Sequence, residues 1–238
     1  HTGRAHVIGC GYFGWLDWCA AEAGVPASVQ ADYTRVPFDD VAALERAVDA
    51  AGDELAAIVL EPVIERLPSA DWIARARQLA TQHGAALIFD EMKTGFRLAP
   101  GGYQELSGVT PDLAAFGKAL ANGYALSAVC GHADIMDAAR RTWISSTLAA
   151  DTTAFAAARA VLHLHHDEPV CKELARIGGE MRTAVSNALR ASRLQGIEIA
   201  GLDPMWFFRF ESPALESRFL VTAAANGVLF KRGPYNFA

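Results

Sequence analysis

The sequence lacks any apolar run approaching the roughly 18 residues of a membrane-spanning helix, so no such helix is expected. Its opening, H-T-G-R-A-H, lacks the basic-then-apolar pattern of a secretory signal. Cysteine is scarce. Cys10, Cys19, Cys130 and Cys171 form no C-x-x-C pair and no metal-ligand spacing, which points to reduced core thiols in a cytoplasmic protein. Positive charge is not in surplus. The net charge of −6 argues against nucleic acid or an anionic membrane surface as the main partner. What is present is ordinary globular material: 238 residues, 52% hydrophobic and 20% charged, enough for one large or two smaller domains.

One stretch organises the chain. Ala85–Arg97 reads A-A-L-I-F-D-E-M-K-T-G-F-R, and from Pro111 the sequence continues P-D-L-A-A-F-G-K-A-L-A-N-G. The run Ala85–Phe89 reads as a buried strand that ends in two carboxylates, Asp90 and Glu91. In open α/β sheets ligands sit at the carboxyl ends of strands, which places Asp90 where chemistry is done. A second run, Leu113–Phe116, delivers Gly117 and Lys118 in the same way.

These two motifs, in this order and separation, resemble the class III aminotransferases, in particular the glutamate-1-semialdehyde aminomutase-like branch. The resemblance implies an α/β fold of type I. It would have a large domain with a mixed, mainly parallel sheet between helices, over residues 1–165, and a smaller, partial α+β domain over residues 166–238. It implies pyridoxal 5'-phosphate (PLP) as cofactor, with Asp90 at the pyridine nitrogen and Lys118 forming the Schiff base. A buried carboxylate keeps that nitrogen protonated, and a buried lysine is a better nucleophile toward an aldehyde. The resemblance begins partway through the family's pattern and stops short of its end. The chain is therefore expected to be a partial one that lacks the family's phosphate-binding loop.

Taken in order, His6–Cys10 is a strand candidate leading into G-C-G-Y-F-G, in which Gly9, Gly11 and Gly14 match G-x-G-x-x-G with Asp32 at a plausible distance for a ribose-binding acid. That would suit a nicotinamide cofactor, but the following segment is too short and broken for the helix and strand required. The resemblance assigns the place differently. Tyr12 falls where the family stacks an aromatic on the PLP ring, and Phe13 stands where the family usually has histidine. Trp15 and Trp18 read as core or interface residues. Ala31–Phe38 reads as a polar connection, Val41–Ala51 as a helix opened by Asp39 and Asp40, and Leu55–Leu60 as a strand ending in Glu61. By the resemblance Glu61 sits at the substrate entrance; an end-of-strand ion pair is the other reading. Ser69 caps a helix over Trp72–His83. Met92 falls where the family packs a residue on the second ring face. Lys93 is left open, and Arg97 is either a carboxylate contact or a surface ion pair.

The connection from Thr94 to Pro111 is expected to run along the surface, Leu126–Cys130 to be a buried strand and His132–Arg141 a helix. In W-I-S-S-T-L-A-A-D-T-T-A-F, Thr147 best matches the family's threonine that reaches the phosphate of the neighbouring subunit, with Ser146 as alternative and helix capping as the plainer reading. Thr152–His165 is an alanine-rich helix expected to be deeply packed. His163, His165, His166, Asp167 and Glu168 mark its end rather than a metal site. Pro169–Leu194 continues helically with a bend at Gly178-Gly179. Gly196–Gly201 and Pro204–Phe210 read as strands, Ser212–Asn226 as a helix and Val228–Lys231 as a last strand.

The resemblance thus implies a cytoplasmic homodimer with shared sites that moves an amino group from an amine donor to a carbonyl acceptor. A PLP-dependent aminomutase or racemase would use the same lysine and aspartate. From another class, the alternative is a non-catalytic fragment or an interaction module.

Overall fold

The structure, a computed structural model, describes residues 1–14, 16–20, 24–143 and 147–233. Its sheet is made of β1 (His6–Cys10), β2 (Tyr33–Arg35), β3 (Leu55–Leu60), β4 (Ala86–Asp90), β5 (Leu113–Phe116) and β6 (Ala128–Gly131), in the order β2-β1-β3-β4-β5-β6. Every neighbouring pair is parallel except β5 with β6. Continuous apolar runs such as Leu55–Leu60 suit strands covered on both faces. Ile8, Ile58, Leu60, Leu87 and Phe89 are fully buried, each worth about 1.5–3 kcal/mol of transfer from water. Cys10 stands opposite Leu60 and Leu60 opposite Phe89, so the carboxyl ends of β1, β3 and β4 finish in line.

Two helices cover the sheet. α1 (Val41–Ala51) starts where the Asp40 side chain accepts the Ala43 N–H at 2.8 Å, and α2 (Ala70–Gln82) where Ser69 accepts from Trp72 at 3.3 Å. α1 buries Leu44, Ala47 and Val48, and α2 buries Trp72, Ile73, Ala76, Leu79 and Ala80. This is the three-and-four spacing of one apolar face.

Several expectations need correction. The connection Ala31–Phe38 contains β2, whose three residues pair with β1 and are too few to show a pattern. The connection after Thr94 contains a short helix, α3 (Tyr103–Ser107), with Tyr103 buried. Leu126–Cys130 is not a buried strand. β6 starts at Ala128 and has all four residues exposed at the edge of the sheet, so Cys130 is an exposed thiol, unlike buried Cys10 and Cys19. The segment from His132 breaks into α4 (Ala133–Met136) and a 3-10 turn, Asp137–Arg141.

The chain divides into two compact units, His1–Asp167 and Glu168–Ala238. The first ends in α5 (Thr152–Asp167). It is less packed than its composition suggested: Ala154 and Ala158 are buried, but Phe155 and Leu164 are about half exposed. In the second, α6 (Val170–Ser192) and α7 (Pro213–Ala225) pack on an antiparallel hairpin of β7 (Ile197–Leu202) and β8 (Met205–Phe210). α6 runs unbroken through Gly178. That glycine serves close approach: a Cβ there would stand 1.8 Å from the Asp203 carbonyl oxygen. Val228–Lys231 is not a strand; its Phe230 instead joins an aromatic cluster with Phe208 and Phe219. Among the described residues no helix is long and apolar enough to cross a membrane.

Candidate active site

Because β1, β3, β4 and β5 are parallel, the residues that follow them share one edge of the sheet. Tyr12 follows β1, Glu61 follows β3, Asp90 closes β4 and Lys118 follows β5. The site thus draws one side chain from each of four neighbouring strand ends.

The two carboxylates of β4 diverge. Asp90 Oδ1 accepts the Met92 N–H at 3.0 Å, and no hydrogen bond to Oδ2 is found among the described residues. Burial raises the Asp90 carboxyl above the usual carboxylate range and Glu61 pushes the same way. The Met92 N–H and the positive charges of Lys118 and Lys93 oppose them. Glu91 points the other way and is fully buried. Its Oε2 accepts from Tyr103 N–H at 2.9 Å and from the Thr94 hydroxyl, and its Oε1 from Gln104 N–H at 2.9 Å. Glu91 therefore caps α3 and holds the turn after β4. This role was not read from the sequence, although an acid three residues before a threonine was the available signal.

Lys118 has φ +44°, the left-handed region that side chains avoid at a cost of about 1–2 kcal/mol. The turn is held from both sides: Leu120 N–H donates to Gly117 O at 2.9 Å and Asn122 N–H to Lys118 O at 3.0 Å. Leu120 and Ala121 are buried with Ala158 of α5. Gly117 lies under Met92, where a Cβ would stand 2.3 Å from Sδ. Lys118 itself is exposed, which corrects the expectation that it would be buried. It lies beside the edge strand β6, whose residues are all exposed.

Tyr12 is 63% exposed, while its N–H donates to Glu61 Oε2 at 3.2 Å. Glu61 Oε1 forms an ion pair with Lys93 Nζ at 2.5 Å, and both side chains are buried. Lys93 Nζ also donates to Ile64 O at 3.0 Å. Lys93, left open in the sequence, is thus tied to Glu61 at the same edge of the sheet. The parallel neighbours β3 and β4 were the signal that residues after them meet. Phe13 turns toward β2 instead and stacks on Trp18, with centroids 6.4 Å apart and planes 5° from parallel.

Other candidates stay apart. Thr147 is exposed in a turn, and no hydrogen bond or ion pair links it to Asp90 or Lys118 among the described residues. Ser146 and Trp15 lie outside the described residues. Arg97 is half-buried, with its N–H donating to Thr94 O at 3.2 Å. At the end of α5, His165 packs edge-on to Phe96 at 5.3 Å and His166 pairs with Asp167 at 2.9 Å. No α-helix follows Gly14 before α1 among the described residues, so the glycines at 9, 11 and 14 lack the setting of a dinucleotide fingerprint.

An acid, an amine, an exposed aromatic ring and a thioether at adjacent strand ends fit the ring end of a pyridine aldehyde. Asp90 keeps an oxygen open to a ring nitrogen, and the glycine before Lys118 lets Met92 lie close. Donors for the phosphate end are not gathered with them among the described residues.

Known proteins share the family and the fold of this chain. The family model for class-III aminotransferases matches residues 21–235. A 3-aminobutyryl-CoA aminotransferase of Cloacimonas acidaminovorans is 32% identical over 81% of this chain and 48% of its own length. A glutamate-1-semialdehyde 2,1-aminomutase of Rhodopirellula baltica is 38% identical over 69% of this chain and 39% of its own. The chain thus spans about half or less of the length of these relatives. Among solved structures, the FumI protein of Sphingopyxis sp. MTA144, in its PLP internal aldimine form, superposes with a TM-score of 0.88 at 25% identity. That match covers 99% of this chain and 59% of FumI. An omega-transaminase from Sphaerobacter thermophilus superposes with a TM-score of 0.84 at 24% identity over 100% of this chain and 64% of its own, which supports the fold. The mainly parallel sheet with its helices is therefore that of the fold type I transferases, and this chain belongs to the class-III aminotransferase family.

Proposed function

We propose that this chain carries the ring-binding half of a PLP-dependent aminotransferase site. The observation that supports the reading most is the delivery of Asp90 and Lys118 from the neighbouring parallel strands β4 and β5. Asp90 would hold the pyridine nitrogen through a charge-assisted hydrogen bond while the Met92 N–H fixes its other oxygen. Tyr12 and Met92 would flank the ring, and the Thr147 hydroxyl would serve the phosphate, in a neighbouring subunit of a homodimer. Bound PLP supplies an electron sink for the carbon that carries the transferred nitrogen. Lys118 Nζ would hold the cofactor's aldehyde carbon and, once the donor's amine has taken its place there, would be free to carry a proton from the donor carbon to that aldehyde carbon. Small-molecule amines and carbonyl compounds are the substrates of this reading, with Glu61 near their entrance but its charge paired to Lys93, and the cytoplasm as compartment.

The named relatives include both aminotransferases and aminomutases, so the aminomutase is the second reading. Adding PLP to the full-length protein and screening amine donors against carbonyl acceptors tests the choice. Amino transfer between two different molecules supports the aminotransferase. Turnover of a single amino-aldehyde with no acceptor supports the aminomutase. A protein that develops no visible absorption band with PLP overturns both.

A further inference from the structure

Three strand ends are tied together by one buried ion pair. Lys93, in the turn after β4, meets Glu61, at the end of β3, with Nζ and Oε1 2.5 Å apart and the side chains only 6% and 8% exposed. The second Glu61 oxygen accepts the Tyr12 N–H at 3.2 Å, and Glu61 N–H donates to Cys10 O at 2.8 Å, so both groups reach the end of β1. The fit there is tight. Gly11 has φ +136°, and a Cβ on it would stand 2.4 Å from Glu61 Cβ. Lys93 also donates to Ile64 O at 3.0 Å, which fixes the cation from the β3 side.

An exposed ion pair contributes little, but one removed from water leaves a costly charge when either partner goes. Such a pair holds whatever is bonded to it in one register. Here that is the main chain of Tyr12, whose ring is 63% exposed and so is positioned by its backbone rather than by packing. Lys93 also offsets the charge of Glu61, which otherwise disfavours an ionised Asp90.

We propose that Lys93 is a positioning residue: through Glu61 it latches the Tyr12 main chain to the ends of β3 and β4, and so sets the aromatic ring at the edge of the cofactor cleft. Glu61 is then held by the protein and not offered to a charged group on a substrate. The last step, from Tyr12 to the cofactor, rests on the PLP reading above. The latch itself does not.

The test is hydrogen exchange in the full-length protein, read on peptides spanning Tyr12, with PLP affinity measured alongside from visible absorbance. In Lys93→Met the Tyr12 segment exchanges roughly tenfold faster or more while α1 and α2 keep their protection. PLP binding weakens with it, and Lys93→Arg retains both properties. The double variant Glu61→Gln/Lys93→Met removes both buried charges, which preserves folding, but it keeps the fast Tyr12 exchange because a neutral amide has no anchor. Unchanged Tyr12 exchange in a folded Lys93→Met or double variant overturns the latch. So does an equal rise across α1 and α2, which marks general support of the fold. A change confined to the KM of charged substrates also overturns it and makes the pair a substrate gate. If the unaltered protein binds no PLP, the cofactor reading fails, while the exchange comparison still decides the latch.

Discussion

Replacing Glu91 by glutamine isolates the buried cap that holds the turn after β4. The carboxylate accepts two donors on Oε2, from Thr94 and Tyr103, and one on Oε1, from Gln104. Glutamine has almost the same shape but only one accepting oxygen. That oxygen will take the Oε2 position, where two donors are served, which turns the amide NH2 against the Gln104 N–H. One donor in a largely buried place is then unsatisfied and two donors face each other, at a cost of about 1–3 kcal/mol. For a domain of this size that is a fall in Tm of roughly 2–12 °C, read by calorimetry or circular dichroism. The pH dependence gives a second check. Burial raises the Glu91 carboxyl above the ordinary glutamate value. The folded protein therefore keeps this proton to higher pH than the unfolded chain, and this group lowers stability as pH rises from the ordinary value through the raised one. Glutamine does not titrate. The advantage of the unaltered protein over Glu91→Gln is accordingly smaller at neutral than at mildly acidic pH. An unchanged Tm, or an advantage that grows with pH, refutes the reasoning.

Two further outcomes follow from the geometry. The Asp90 carboxyl is raised by burial, so its ionised form, which grips a protonated ring nitrogen, is lost as pH falls through a value above the ordinary aspartate one. PLP affinity measured by absorbance titration should drop across that window, and Asp90→Asn should bind weakly with this step gone. Gly178→Ala puts a Cβ 1.8 Å from the rigid Asp203 carbonyl oxygen, so α6 and the β7–β8 hairpin must separate locally. A loss of about 1–3 kcal/mol, or more, is expected in denaturant unfolding followed by Trp206 fluorescence, with exchange protection in β3 and β4 unchanged.

Much of the fold was legible because its signals are local. Leu55–Leu60 and Leu113–Phe116 are continuous apolar runs with abrupt ends, and Asp40 and Ser69 announce their helices as caps. The edges were harder to read. β2 is three residues long, and Val228–Lys231 has the composition of a strand but forms none, its Phe230 packing on Phe208 and Phe219 instead. Exposure was misjudged for β6 and for Lys118, since apolar composition says nothing about whether a strand lies inside a sheet or at its rim. Within the candidate site, motif and spacing singled out Asp90 and Lys118, and the structure delivers them from neighbouring strands. The Glu61–Lys93 pair could not be seen, because residues 32 positions apart meet only once β3 and β4 are known to be parallel neighbours. Likewise, D-E reads as a pair of acids in sequence, but the two diverge, Asp90 accepting from the Met92 N–H and Glu91 capping α3.

The central claim is that Lys118 is the residue that takes the cofactor. Full-length protein incubated with PLP, reduced with borohydride and digested will show by mass spectrometry which lysine carries the pyridoxyl group. The account predicts the label on the peptide containing Gly117-Lys118, and its absence after Lys118→Ala with Lys93 intact. Label on Lys93, or on no lysine of this chain, would contradict it.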